Sequence, residues 1–204
     1  MPRKTTRLVS ALIIVGGTAF AALSAQAQDG SSYDFKLFGG AAYVTPLSDS
    51  SLSGIANSVE ASSEVGWEIG GEWKASDRLG IELAYFDATH DVEADGTAIG
   101  EISLRPWNFS LNFHLVDGDR VSWWVGPTVS YIDWSEVELN GGGSLDVDSQ
   151  TTFGASTGMS IGLGESFGFQ AGLRWLDASV DSPVLPDEVD VDPLFASVGI
   201  AFRF

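Results

Sequence analysis

The chain has no cysteine, only two histidines among its 204 residues, and only 10 Lys+Arg to set against 28 Asp+Glu. Each shortage removes a class of function. Without thiols there is no disulfide scaffold, no thiolate zinc site and no cysteine nucleophile. A formal charge of −18 leaves no basic face to displace counterions from phosphates, so a nucleic-acid partner is excluded. His90 stands beside Asp91, and His114 lies two residues from Asn112. Neither has a serine two residues away as a nucleophile, and a lone histidine among polar groups serves as a hydrogen-bonding partner, so no enzyme, metal site or cofactor is expected. What is plentiful is apolar and small: 24 Gly, 12 Phe, 7 Trp, and 44% hydrophobic against 19% charged residues. That much apolar surface opposes chain entropy and argues against disorder.

The first 27 residues read as an export leader. Arg3, Lys4 and Arg7 form a basic start, Leu8 to Leu23 is apolar, and Ala25-Gln26-Ala27 supplies the small-x-small pattern of a cleavage site. Small residues crowd the end of the apolar run, where an uncleaved anchor would carry bulky ones. Cleavage removes three of the ten positive charges and none of the 28 negative ones, which moves the formal charge from −18 to −21. Residues 28–204 then form one domain.

Over that domain the hydrophobic period is two. From Phe167 to Trp175 every odd position is apolar and every even one is Gly or polar, as a strand with two unlike faces requires. From Leu194 to Phe204 the even positions are apolar in the same way. Further strands read as Tyr33–Val44, Val65–Lys74, Leu79–His90, Ile99–Leu115, Val121–Trp134 and Thr151–Leu163, giving eight in all. The links alternate between short (75–78, 116–120, 164–166) and long and polar (46–62, 91–98, 135–149, 181–190). An all-β, antiparallel, up-and-down transmembrane barrel of outer-membrane type has this layout, with short periplasmic turns and long external loops. Aromatics near strand ends on the apolar face suit two interfacial girdles, which a soluble sandwich does not need. The terminal Phe204 is the residue that barrel-assembly machinery is expected to read.

Parity also assigns a lumen. Its lower part collects Lys36, Glu68, Glu72, Glu82, Arg174 and Arg203, with Lys74, Asn112, His114 and Gln170 near them. Buried charges of both signs persist when paired, so these residues are expected to cross-link into a polar plug. Higher up the inward residues are apolar: Phe38, Val44, Phe86, Ile132, Trp134, Leu176 and Phe195. They suit either a cavity for a greasy small molecule or plain packing of a narrow barrel, and parity does not separate the two. Trp124, inward but only three residues above a turn, either fills the floor or marks a slip of parity. In the fourth strand the apolar parity changes at Pro106, so a bulge or a gap in pairing is expected there, with Pro127 in the neighbouring strand. That pair is the candidate lateral break. The long links carry Asp49, Glu60, Asp91, Glu93, Asp95, Glu136, Glu138, Asp146, Asp148, Asp181, Asp187, Glu188 and Asp190, and no Lys or Arg. They form a solvated acidic rim or one that holds cations beside lipopolysaccharide.

The segments Leu79-Gly80-Ile81-Glu82-Leu83, Leu104-Arg105-Pro106 and Val125-Gly126-Pro127-Thr128-Val129-Ser130-Tyr131, with the ending Val191-Asp192-Pro193-Leu194-Phe195 and Gly199 to Phe204, resemble the outer-membrane protein W (OmpW) family. The likeness spans most of the mature chain in order. It departs after the third strand, where Asp87-Ala88-Thr89-His90 stands in place of a Thr-Pro-Phe stretch. The resemblance implies a monomeric barrel, integral in the outer membrane among lipid and lipopolysaccharide. Such a barrel passively admits small hydrophobic molecules through an apolar channel with a sideways exit and a polar floor. The alternative expectation is a closed structural or adhesive barrel acting through its acidic loops.

Overall fold

Alternation of period two leaves each strand with one face for lipid and one for the lumen, and only a closed sheet satisfies every backbone group at membrane depth. The computed structural model describes residues 34–47, 50–52, 56–94, 97–118, 120–134, 137–139, 144–145, 149–180 and 189–204. The expected leader and the acidic residues Asp49, Asp95, Glu136, Asp146, Asp148, Asp181, Asp187 and Glu188 lie outside these. Eight long strands build the wall: β1 (Phe35–Pro46), β2 (Glu64–Ser76), β3 (Leu79–Ala94), β4 (Thr97–Asp117), β5 (Val121–Trp134), β6 (Gln150–Gly162), β7 (Phe167–Asp177) and β8 (Pro193–Arg203). Each pairs antiparallel with the next, and β8 returns to β1 in a register running from Lys36↔Arg203 to Pro46↔Pro193. The meander is closed. No helix of the described residues is long and apolar enough to cross a membrane.

The two faces separate as the sequence requires. Along β5, Ser122, Trp124, Gly126, Thr128, Ser130, Ile132 and Trp134 are buried, while Val125, Pro127, Val129, Tyr131 and Asp133 are exposed. Large apolar side chains cover the outside, Ile69 at 56% exposure and Phe169 at 54% among them, which in water would be a liability and in lipid is the required surface. On β2, β3 and β4, Trp67, Tyr85 and Trp107 stack side by side with ring centroids 5.4 and 4.8 Å apart, part of an aromatic girdle.

Two expectations need correction. The link read over residues 91–98 is mostly strand: β3 continues to Ala94 and β4 begins at Thr97, so β4 is 21 residues long. At about 3.3 Å per residue it far exceeds an apolar band of about 25 Å. Second, β4 does not change face at Pro106. Its even residues are buried from Ile102 to Val116 without interruption. The apolar parity switches because the outside becomes polar above the membrane, at Glu101, Ser103 and Arg105, while the inside becomes apolar. Of the two readings left open for Trp124 the structure has the first: its side chain is inward and buried, and the parity of β5 does not slip.

Two glycines show how narrow the barrel is. A Cβ on Gly158 would lie 2.3 Å from the Trp124 ring, so the missing side chain is what admits that indole. At the β1–β8 seam Gly40 faces Gly199, and a Cβ on Gly40 would lie 2.1 Å from the Val198 carbonyl oxygen. Entry into β8 is set by Asp192, whose φ of 43° is in the left-handed region that Asp tolerates, followed by Pro193.

Candidate functional site

The lower lumen is a continuous polar network contributed by most of the wall. Lys36 Nζ on β1 meets Glu72 Oε2 on β2 at 2.9 Å, with both side chains fully buried. His114 on β4 donates from Nε2 to Glu72 Oε1 at 2.6 Å. Asn112 Nδ2 donates to Glu72 at 3.3 Å and to Glu82 Oε2 on β3 at 3.0 Å, which joins the two acids. Arg174 on β7 closes the chain by donating from Nη2 to Glu82 Oε1 at 2.5 Å. Such a network survives burial because each charge faces an opposite charge and hydrogen bonds take up the remaining lone pairs. Below it Lys74 pairs with Asp117.

The expected plug is therefore partly rearranged. Lys36, Glu72, Glu82 and Arg174 are brought together, whereas Arg203 donates to Ser160 Oγ at 2.9 Å. Glu68, only 7% exposed, accepts a hydrogen bond from Ser197 and has no ion pair within 4.0 Å among the described residues. Asp117 was read as a turn residue. A register shift between His114 and Val116 moves the β4–β5 pairing by one residue and sets Asp117 opposite Ser122, so strand parity gave no signal for its place beside Lys74.

Trp124 supplies the apolar side of the floor. Its ring lies 4.2 Å from Lys36 Nζ, a cation–π contact in a dry site. Phe38 and Phe86 mark the upper limit of the charges, 5.6 Å from Lys36 Nζ and 5.0 Å from Arg174 Cζ. With Val44, Ile132, Trp134, Leu176 and Phe195 they make up the seven expected apolar residues, which all belong to one buried cluster. Phe86 and Phe195 pack with ring centroids 4.9 Å apart, and Ile132 and Leu176 are completely buried.

The wall has two interruptions, on opposite edges of β4. On the β3 side the ladder passes from Tyr85↔Trp107 directly to Ala88↔Leu104 in unchanged register, so the rungs Phe86/Pro106 and Asp87/Arg105 are missing. Proline has no N–H to donate, which accounts for the gap without a bulge. Outside it, Arg105 Nε stands 3.8 Å from Asp87 Oδ1 across the two strands. The gap begins one rung above the aromatic girdle at Tyr85 and Trp107, at the level of the membrane boundary. The second interruption, on the β5 side, omits Leu111/Pro127 and Asn112/Gly126. It lies level with the charged network, so Pro106 and Pro127 do not share an opening.

Sequence spacing missed one constellation. Ser122 Oγ on β5 lies 2.8 Å from His114 Nδ1, and His114 in turn holds Glu72, an order of groups that resembles a serine–histidine–acid relay. Ser122 is completely buried, and Glu72 is engaged by Lys36 as well. His90 is likewise tied down, with Nδ1 2.7 Å from the Ser62 carbonyl oxygen.

No protein-family model and no curated protein matches the chain. Solved structures do. Outer membrane protein OprG from Pseudomonas aeruginosa is 22% identical, with a TM-score of 0.72 over 87% of this chain and 98% of that one. Outer membrane protein AlkL, solved in lipid bilayers, is 17% identical, with a TM-score of 0.61 over 88% and 93%. Outer membrane protein W from E. coli is 15% identical, with a TM-score of 0.50 over 85% and 99%. The shared fold and the apolar exterior make this chain an integral outer-membrane β-barrel with eight spanning strands.

Proposed function

We propose that the barrel passively admits small hydrophobic molecules at its long-loop end and releases them sideways into the membrane between β3 and β4. The observation that carries this reading is the two-rung gap at Phe86/Pro106 and Asp87/Arg105, which borders the apolar half of the lumen at the level of the membrane boundary. A permeant entering that half gains about 0.8 kcal/mol for each CH₂ taken from water. It cannot continue downward, because it would have to part a buried network of paired charges. Separation of β3 from β4 is easiest where two rungs are already missing, since each backbone hydrogen bond contributes about 1 kcal/mol net.

The test is uptake of a radiolabelled medium-chain alkane into porin-poor cells. Wild type should exceed the empty vector, and Trp134→Arg should remove the gain at equal amounts of folded barrel. The absence of native cysteine permits a second arm: Asp87→Cys with Arg105→Cys, bridged by a short bis-methanethiosulfonate reagent that forms a disulfide to each thiol with loss of methanesulfinate, should stop uptake until the bridge is reduced. Uptake equal to the empty vector would sink the reading for this permeant class. The second reading, a closed structural or adhesive barrel working through its acidic loops, draws on the burial of the upper-lumen side chains, of which Ile132 and Leu176 have no exposure at all. It expects loop deletions to matter and lumen substitutions not to. Cleavage of the leader, contact with lipopolysaccharide, a monomeric state and recognition of Phe204 by the assembly machinery belong to the same proposal.

A further inference from the structure

At the boundary between the charged and apolar halves is a small cavity, about 20 Å³ measured to the centre of a water-sized sphere. Its lining includes the polar Glu68, Gln170, Arg174 and Ser156 and the aromatic Phe86 and Phe195. The four polar residues are each no more than 7% exposed. Arg174 commits Nη2 to Glu82, but its Nε and Nη1, Gln170 Oε1 and Ser156 Oγ have no partner within the protein among the described residues. Buried polar groups are rarely left so, and here two donors, an acceptor and a hydroxyl converge on one space.

We propose that this cavity binds the terminal hydroxyl of a small amphiphile, a medium-chain primary alcohol, whose hydrocarbon tail lies against Phe86 and Phe195. The inference rests on the reading of the barrel as a conduit for apolar molecules and names a class of substrate for it. Size comes first: the space takes one heavy atom with its hydrogens. Hydrogen-bond polarity comes next. A hydroxyl accepts from Arg174 and donates to Gln170 Oε1 or Glu68, so it meets both kinds of unpartnered group. An ammonium head has nothing to accept with and would face the guanidinium. A carboxylate head has nothing to donate and would face Glu68 and Glu82. A bare alkane leaves the polar wall unsatisfied. The tail follows from the lining, since Phe86 and Phe195 pack ring to ring with centroids 4.9 Å apart and both belong to the apolar cluster.

The experiment uses the folded, ¹⁵N-labelled barrel in lipid nanodiscs with 1-hexanol as the probe. Nuclear Overhauser contacts between the alcohol C1 methylene and the Arg174 Nε–H should appear and saturate. Hexylamine and hexanoate at tenfold excess should leave them in place. Glu68→Gln with Gln170→Leu should weaken binding at least tenfold, and Ser156→Ala is a milder second variant should the double one fail to fold. Absence of the contacts, equal competition by all three head groups, or unchanged binding in the variants would overturn the proposal and leave the cavity as a solvent site only. Failure of the parent reading is seen separately: alkane uptake that Trp134→Arg does not alter would end the conduit, while alcohol binding to the purified barrel would still be measured on its own terms.

Discussion

Replacement of Glu72 by Gln strikes the centre of the charged network and gives the sharpest test of how the lower barrel is held. Glu72 is completely buried and takes contacts from Lys36 at 2.9 Å, His114 at 2.6 Å and Asn112 at 3.3 Å. The amide keeps the volume and one acceptor but removes the charge that balances Lys36. Leaving one partner of a buried pair uncompensated costs about 3–5 kcal/mol. The Trp124 ring, 4.2 Å from Lys36 Nζ, already faces the cation and limits that loss by about 1 kcal/mol. The expected net loss is thus about 2–4 kcal/mol. The assay is reversible urea unfolding of the barrel in lipid vesicles, followed by tryptophan emission, with the midpoint falling at an unchanged slope. Adding Lys36→Met removes the stranded charge, so the double variant should be more stable than Glu72→Gln alone by about 2 kcal/mol, a coupling read directly from the mutant cycle. A loss below about 1 kcal/mol, or a double variant no better than the single one, would refute the view that paired burial, and not mere packing, holds this region.

Three further outcomes are expected. Gly40→Ala should lose about 1–3 kcal/mol in the same unfolding assay, because its Cβ would sit 2.1 Å from the Val198 carbonyl oxygen, whereas Gly164→Ala, with open space around it, should stay within about 0.5 kcal/mol. Phe109→Arg, on the lipid face at 47% exposure, should lose about 2–4 kcal/mol if it lies near the bilayer midplane and much less if the membrane boundary is lower. Arg105→Gln should barely change stability, since the pair with Asp87 is long and partly exposed, yet raise the rate of alkane uptake by weakening the tie across the gap. An unchanged rate in that variant would show that the pair does not restrain β3 and β4.

Parity of side chains made most of the wall legible. Phe169, Leu173 and Trp175 announce a lipid-facing strand because hydrocarbon on one side and a narrow lumen on the other impose opposite demands on alternate residues. The rule weakens once a strand leaves the membrane. Glu101, Ser103 and Arg105 are polar on the outside while Ile102 and Leu104 are apolar on the inside, so the pattern inverts while the backbone runs straight on. The inward direction of the plug residues was readable, but their pairing was not. Which acid meets Lys36 depends on stagger between strands far apart in sequence, and Asp117 enters through a local irregularity that no periodicity reports. Pro106 signalled an interruption, and its side of the strand became visible only with both ladders in place.

The seam between β1 and β8 fixes an order in time. Lys36 finds Arg203 opposite it only after β8 has arrived, so the wall is not completed until its eighth strand is in place. Until that moment Lys36, Glu72, Glu82 and Arg174 sit on the open face of a curved sheet, where hydrocarbon would meet bare charge. A half-built sheet of this sequence is thereby kept out of the bilayer by its own interior. Entry into lipid and closure of the ring have to coincide, and long-range pairing of this kind is slow. The same charges that hold the finished barrel together therefore act beforehand as a check on premature insertion.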